Sequence, residues 1–150
     1  MPNIQKVELK CTTIRGLQTR TQNTDEMNPG TQKLAPLWGK FYTEIMPTLK
    51  EGVALYGVYH NYESDADGMF DVLVGSEQEG EGLTSVILQE GRYLKFPVKG
   101  EMPQAIIDAW IRVWAYFEDP SIDERRAYET DFEHYISMNE AEIYIGVHYF

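Results

Sequence analysis

A carboxylate between two aromatic residues stands out near the C-terminal end of the chain. The segment DFEHYI, residues 131–136, alternates as β-strands do when successive side chains point to opposite faces. Such a strand places Glu133 and Tyr135 on one face and Phe132 on the other. A charge in a covered strand is costly unless it is paired or offered to a ligand, so the environment of Glu133 decides its role.

Two environments for Glu133 remain open from the residues alone. At a sheet edge, Glu133 points to water and has no special role, which is the more common situation for one charged residue. On a covered face, it lies in an aromatic cavity that suits a flat, apolar, cationic ligand through ion pairing and cation–π contact. In the neighbouring segment EIYIGV, alternation assigns Tyr144 to one face and Ile143 and Ile145 to a core-facing side.

Several aromatic residues are candidates for the wall of such a cavity. The three tryptophans lie on apolar helical stripes, where core packing is their simplest role. Because the indole N–H needs a partner, however, tryptophan is often found at a pocket wall. Three tyrosines could supply a hydroxyl group. The candidate ligand-binding residues are Glu133, Trp38, Trp110, Tyr135, Tyr56, Tyr144 and Trp114.

Other kinds of site chemistry have no support in the sequence. The histidines His60, His134 and His148 lack a metal-binding spacing and there is no CxxC, so neither a metal nor a cofactor is predicted. Cys11 is the only cysteine and has no evident base beside it, so a disulfide within the chain and a nucleophilic thiol are not expected. The segment ESDADG lacks the calcium-loop pattern and predicts a hairpin turn. We predict no catalytic residue.

The composition is that of an acidic, aromatic-rich globular protein. The chain has 150 residues, 43% of them hydrophobic and 25% charged, which suits one domain spanning residues 1–150. The net charge of −11 argues against nucleic acid or an anionic membrane as a direct partner and permits a cationic ligand. No signal-peptide stretch or membrane-spanning run is visible, so we expect a cytoplasmic location. The oligomeric state is left open.

The predicted elements occur in the same order in both halves of the chain. Residues 4–78 and residues 83–150, approximately, each predict a strand, a helix and two further strands. One such half cannot bury its sheet face well, whereas two can join into one larger sheet with the helices packed on it. We therefore predict an α+β fold of two pseudo-repeated β-α-β-β modules, with a mainly antiparallel sheet and two principal helices around a ligand cavity.

The boundaries of these elements follow from glycine, proline and capping residues. Gly16 and Gly91 are predicted to interrupt the first strand of each half. Thr31 is the predicted N-cap of the first helix, and Pro103 is predicted to open the second. The polar segments NTDEMNPG and DPSIDERR are predicted loops.

Four segments together resemble a known family. LAPLWGKFY, YGVYHNYESDADGMFDVLVGSE, RAYETDFEHY and EIYIGV occur in an order similar to that of the GyrI-like, AraC-type effector-binding domains, and in particular the stand-alone integron-associated effector-binding proteins. The resemblance extends from about Val7 to Val147. It implies paired β-α-β-β modules around a cavity for hydrophobic, often cationic drugs or metabolites. In regulators such a domain is fused to a helix-turn-helix unit, so an effect on transcription here would need a separate regulator as partner.

The resemblance also implies roles for individual residues. The family's hallmark is a pocket glutamate in a motif similar to Phe-Glu-Arg-Tyr, which here reads FEHY, residues 132–135. His134 stands in the place of the arginine, while Glu133 and Tyr135 are retained. Trp38 matches a tryptophan of the first helix that lines the pocket in related proteins. Some relatives hydrolyse reactive small compounds with a glutamate and an aromatic residue.

The function predicted from these observations is small-molecule binding without catalysis. The protein is interpreted as a sensor or sequestering module for a hydrophobic, cationic drug or metabolite. The alternative is a small-molecule hydrolase with Glu133 as general base, which additionally needs a held water and an acid near the leaving group. A third hypothesis is a purely structural interaction module.

Overall fold

The computed structural model describes residues 4–64 and 68–148, so residues 65–67 of the predicted ESDADG turn lie outside the described part. The described residues form eight strands and three α-helices. The strands are β1 (Gln5–Leu9), β2 (Thr12–Thr21), β3 (Leu55–His60), β4 (Phe70–Ser76), β5 (Thr84–Leu88), β6 (Gly91–Lys99), β7 (Arg125–Ser137) and β8 (Glu140–His148). The helices are α1 (Asn23–Glu26), α2 (Leu34–Glu44) and α3 (Gln104–Glu118), and a 3-10 turn spans Met46–Thr48.

All eight strands form one antiparallel sheet in the order β1-β6-β8-β7-β3-β4-β2-β5. This confirms the predicted α+β class with a mainly antiparallel sheet. The first half contributes β2-β4-β3 and the second contributes β6-β8-β7, and the two sets meet at the central pair β3 and β7. The pseudo-repeat of the two halves stays a prediction.

The two predicted broken strands are each two separate strands, and the first break is not where the glycine predicted it. β1 ends at Leu9 and pairs with β6, whereas β2 pairs with β4 and β5. Gly16 lies inside β2. Glycine is needed there because a Cβ at this position would lie 1.8 Å from the carbonyl oxygen of Val74 on β4. Gly16 therefore permits a close approach of two backbones rather than a break. Gly91 begins β6 with φ of 152°, a backbone conformation that favours glycine.

The helix boundaries agree with the sequence at α3 and differ at α2. Pro103 is the N-cap of α3. The prediction that Thr31 caps α2 is wrong, because α2 begins at Leu34 after Lys33. The Glu26 carboxylate instead accepts hydrogen bonds from the N–H groups of Lys33, at 2.9 Å, and Leu34, at 3.1 Å. Glu26 ends α1, a short helix inside the segment predicted as a loop.

The two long helices cover one face of the sheet. The apolar side of α3 packs on β6 and β8, where Val113, Ile143 and Ile145 are fully buried. Phe41 of α2 packs on β4 residues such as Val72. A separate cluster forms on the opposite face of the sheet, with members Ile14, Val58, Leu73, Leu88, Tyr93 and Phe132. Among the described residues, no helix has the length and apolar character needed to cross a membrane.

Candidate functional site

Glu133 lies at the centre of the sheet, not at its edge. Its strand, β7, runs between β3 and β8, and Glu133 is opposite Gly57 on one side and Ile143 on the other. Directly opposed residues of an antiparallel pair project to the same face, so Glu133 projects to the face that α3 covers. The residue is 3% exposed. A carboxylate in this position needs compensating contacts.

Three aromatic side chains supply those contacts. Glu133 Oε2 accepts hydrogen bonds from the Tyr59 hydroxyl at 2.9 Å and from Trp110 Nε1 at 2.6 Å. Glu133 Oε1 accepts a third hydrogen bond from the Tyr135 hydroxyl at 2.7 Å. Hydrogen bonds to an ionised acceptor are stronger than neutral ones. The three neutral donors therefore favour the ionised carboxylate without supplying a counter-charge.

The rings around this carboxylate contact one another and form an enclosure. Trp38 of α2 meets Tyr135 edge to face, with centroids 5.4 Å apart, and lies 5.8 Å from Tyr42 one helical turn further on. Tyr59 and Trp110 meet edge to face at 5.2 Å. We call these five residues, Trp38, Tyr42, Tyr59, Trp110 and Tyr135, the aromatic box. An anion among ring faces is a suitable environment for an organic cation.

Gly57 provides the space that the carboxylate occupies. A Cβ at this position would lie 2.7 Å from Glu133 Oε1 and 3.5 Å from Trp38 Cζ2. Any larger residue would therefore displace the carboxylate from its hydrogen-bond donors. Gly57 thus has a role in the site, although it has no side chain.

Burial and hydrogen bonding act on the Glu133 charge in opposite directions. Burial raises the pKa of the Glu133 carboxyl above its ordinary value, and the hydrogen bonds from Tyr135, Trp110 and Tyr59 lower it. Burial and the nearby Glu133 charge hold the pKa values of Tyr59 and Tyr135 well above the ordinary tyrosine value. Both hydroxyls therefore stay protonated at neutral pH and remain donors.

Replacing Trp110 with Phe tests how the donors control this charge. The variant keeps a ring beside Tyr59 but removes the N–H that donates to Glu133. Because that hydrogen bond lowers the Glu133 pKa, we expect the pKa to rise further in Trp110→Phe. Carboxyl ¹³C NMR titration of the ligand-free protein measures the change. Trp114→Phe is the matched control, and an equal rise in both variants would assign the effect to lost packing.

The structure brings together four of the seven predicted site residues and places a fifth beside them. Glu133, Trp38, Trp110 and Tyr135 are in mutual contact through hydrogen bonds or ring contacts. The Trp114 ring lies 6.4 Å from the Trp110 ring and extends the wall along α3.

Tyr56 and Tyr144 do not join this group, and the expectation that they line the same cavity is wrong. Tyr56 is opposite His134, and its ring stacks on the imidazole with centroids 5.0 Å apart. Tyr144 is opposite Phe132, and their rings stack at 4.6 Å. Because opposed residues share a face, both tyrosines lie with Phe132 on the opposite side of the sheet from Glu133.

Three residues of the site were missed from the sequence. Tyr42 had a usable signal, since it follows Trp38 by four residues on one helix and must lie beside it. Tyr59 and Gly57 lie on the same side of their strand in the segment YGVYHNY. The sequence does not show which face of the sheet this side forms, because that depends on the pairing of β3 with β7.

Glu133 is covered by the rings of the aromatic box. One cavity in the described residues has a volume of about 70 Å³ and is lined by residues 89–93, 127, 129, 130 and 146–148. A second lies on the surface at residues 120–123 and 125. Neither includes Glu133. Because Glu133 is buried against the aromatic side chains that donate to it, a ligand that reaches this carboxylate must displace some of them. In the described ranges, no three His, Cys, Asp or Glu side chains group as a metal site.

The fold and the family match define the class of protein. The chain is a GyrI-like effector-binding protein, a class related to the effector domains of transcription regulators. The chain belongs to the integron-associated effector binding proteins, the Cass2 family, whose family model matches residues 7–147.

Individual relatives agree with this assignment. An integron cassette protein from the mobile metagenome of Vibrio cholerae is 42% identical, with a TM-score of 0.91 over 97% of this chain and 95% of that one. YobU of Bacillus subtilis (strain 168), a protein named for a role in transcriptional regulation, is 25% identical over 132 residues, 80% of this chain and 78% of YobU. SAV2435, solved bound to tetraphenylphosphonium, shares the fold with a TM-score of 0.76 at 18% identity, over 97% of this chain and 94% of that one.

Proposed function

We propose that the protein binds a lipophilic organic cation in the aromatic box, with the Glu133 carboxylate as its counter-ion. The observation that carries the proposal is a carboxyl group, 3% exposed, that accepts hydrogen bonds from three neutral donors. No cationic side chain forms an ion pair with Glu133 among the described residues. The site therefore has an unmatched negative charge, which a cationic ligand neutralises.

The donor set also favours one kind of cation. Tyr59, Trp110 and Tyr135 already supply three hydrogen bonds to the carboxylate, which leaves little room for the N–H groups of an ammonium ion. A cation with its charge spread over aromatic groups needs no hydrogen bond and interacts with the box through charge and ring contacts. The relative SAV2435, bound to tetraphenylphosphonium, supports this ligand class.

Entry of such a ligand requires the box to open. Tyr42 is 52% exposed at the outer side of the box, so displacing its ring costs little buried apolar area. Trp38 contacts Tyr42 on α2 and Tyr135 on β7. We propose that Tyr42 and Trp38 are the side chains that move.

The test compares two ions of nearly equal shape and opposite charge. Isothermal titration with tetraphenylphosphonium should show saturable binding of one ion per chain, and tetraphenylborate should show none at the same concentrations. Equal binding of both ions would indicate a non-specific hydrophobic surface. Binding of the borate alone would contradict the proposal.

A hydrolase role has less support from the geometry. A general base must accept a proton from a water placed against the substrate, but the Glu133 oxygens already accept three hydrogen bonds from the box. We therefore infer a binding role without turnover. Incubation with activated esters and strained-ring electrophiles should give no product above the buffer control. Multiple turnovers that are lost in Glu133→Gln would instead establish an enzyme.

Binding of a permanently charged cation should depend on pH through Glu133. Since burial raises the Glu133 pKa, the ligand-free carboxyl becomes protonated at a higher pH than an exposed glutamate would. Below that pKa, cation binding has to expel the proton, so affinity for tetraphenylphosphonium falls as pH decreases and binding releases protons. Titration calorimetry in buffers of different ionisation enthalpy measures the release.

The same titration with Glu133→Gln is the control, because its weaker binding should not vary with pH. A constant wild-type affinity across a range in which ¹³C NMR shows Glu133 titrating would contradict the prediction.

We infer one effector-binding domain over residues 1–150, located in the cytoplasm. The net charge of −11 opposes direct contact with DNA, so we propose that an effect on transcription is exerted through a separate regulator.

A further inference from the structure

A second buried polar centre lies on the same face of β7 as Glu133. Asp131 has no exposed surface and accepts hydrogen bonds from the Tyr62 hydroxyl, the Gly146 N–H and the guanidinium of Arg126. The distance from the Asp131 carboxylate to Arg126 is 2.7 Å, and the Arg126 side chain is only 6% exposed. The Arg126 guanidinium also lies over the Tyr128 ring, 4.4 Å from its centroid.

One donor of this centre has no partner. Arg126 Nε is buried and makes no hydrogen bond within the described residues, whereas the Asp131 oxygens have several donors. Leaving a buried donor of a charged group without an acceptor costs more than a neutral hydrogen bond contributes. An oxygen from outside the protein chain would satisfy it.

The two centres lie on the same face of the sheet. Arg126 is opposite Val147 and Asp131 is opposite Ile145, so both project toward α3, as Glu133 does. A row of ring contacts also links them, each between 5.2 and 5.8 Å. The row runs in the order Trp110, Tyr59, Phe70, Tyr62, Tyr128.

We propose that Arg126 Nε is a second subsite beside the aromatic box and binds a neutral oxygen acceptor, such as an ester or ketone carbonyl, carried by the cationic ligand that opens the box. This rests on the proposed cation site at Glu133. Asp131 already neutralises Arg126, and with Glu133 it makes the surroundings negative, so a ligand carboxylate is disfavoured. Asp131, which contacts Arg126, lies two residues along β7 from Glu133, a spacing of roughly 7 Å, so an acceptor on a chain of several bonds is needed to extend from the cationic centre past Asp131 to Arg126.

The experiment compares three triphenylphosphonium ions that differ only in the end of a four-carbon chain. The chain ends in a methyl group, a methyl ester or a carboxylate. The wild-type protein should bind the ion with the ester end about tenfold more tightly than the alkyl ion, because one hydrogen bond to a charged donor contributes about that much affinity. The ion with the carboxylate end should bind no better than the alkyl ion. Equal affinities for ester and alkyl ions would overturn the proposal, as would a preference for the carboxylate.

Two variants assign the preference to Arg126. Arg126→Lys keeps a positive partner for Asp131 but lacks the Nε donor, so the ratio of ester to alkyl affinity should fall toward one. Arg125→Lys changes the exposed neighbour and should keep the wild-type ratio. Circular dichroism confirms that each variant is folded. An unchanged ratio in Arg126→Lys would remove Arg126 from the subsite.

An NMR titration separates failure of this proposal from failure of the cation site. Methyl benzoate, which has an ester and no charge, is added to protein with ¹⁵N-labelled arginine. A saturable shift of the Arg126 Nε–H resonance supports the subsite even if no phosphonium ion binds. No shift with either methyl benzoate or the ester phosphonium overturns it.

Discussion

Glu133→Gln should lower the affinity for tetraphenylphosphonium by about 10- to 100-fold. The substitution keeps the size of the side chain and removes the charge that the buried site leaves unmatched. Losing a charged interaction of this kind in a dry site costs about 1.5–3 kcal/mol, which corresponds to that range of dissociation constants. Isothermal titration at pH 7.5 measures the change.

Glu129→Gln is the matched control for this prediction. Glu129 lies on the same strand and also carries a negative charge, but its side chain is exposed. It should therefore change the affinity little, because a solvated charge is screened. An affinity unchanged in Glu133→Gln, or lowered equally in both variants, would show that the ligand does not use the buried carboxylate.

Arg126→Met should destabilise the protein by about 3–5 kcal/mol. Arg126 is the cationic partner of Asp131, which has no exposed surface, and removing it leaves a buried carboxylate without a counter-charge. The hydrogen bonds from Tyr62 and the Gly146 N–H remain, but neither carries charge. Urea unfolding at pH 7.5, followed by tryptophan fluorescence, measures the free energy of unfolding.

The double variant Arg126→Met with Asp131→Asn separates the lost charge pair from lost packing. The introduced amide oxygen can still accept a hydrogen bond, and no net charge is buried, so most of the lost stability should return. If the double variant is as unstable as Arg126→Met alone, the arginine contributes through its packing on Tyr128 and not through its charge.

The alternation of apolar and polar residues was sufficient to predict much of the fold and part of the site. It placed Glu133 and Tyr135 on one face, and helical spacing placed Trp38 and Trp110 on the inner sides of their helices. These patterns are local, because each depends only on the geometry of one strand or one helix. The resemblance to effector-binding domains added that the Glu133 face is enclosed.

The remaining features depend on how distant segments pair. Tyr56 and Tyr144 were candidate ligand-binding residues, but they lie on the face opposite Glu133, and parity within a strand does not state which side a neighbouring strand presents. Gly16 was interpreted as a break because its close approach to Val74 on another strand is invisible in the sequence. The capping of α2 by Glu26 likewise requires a contact across a turn.

The aromatic box draws its residues from both halves of the chain. Trp38 and Tyr59 belong to the first half and Trp110 and Glu133 to the second, and β3 and β7 form the central junction between the halves, which also pair through β1 with β6 and β2 with β5. A ligand bound in the aromatic box would therefore contact both halves, and its binding free energy would oppose their separation. Amide hydrogen exchange along β3 and β7 should consequently slow on ligand binding, which makes the central strands themselves a reporter of occupancy.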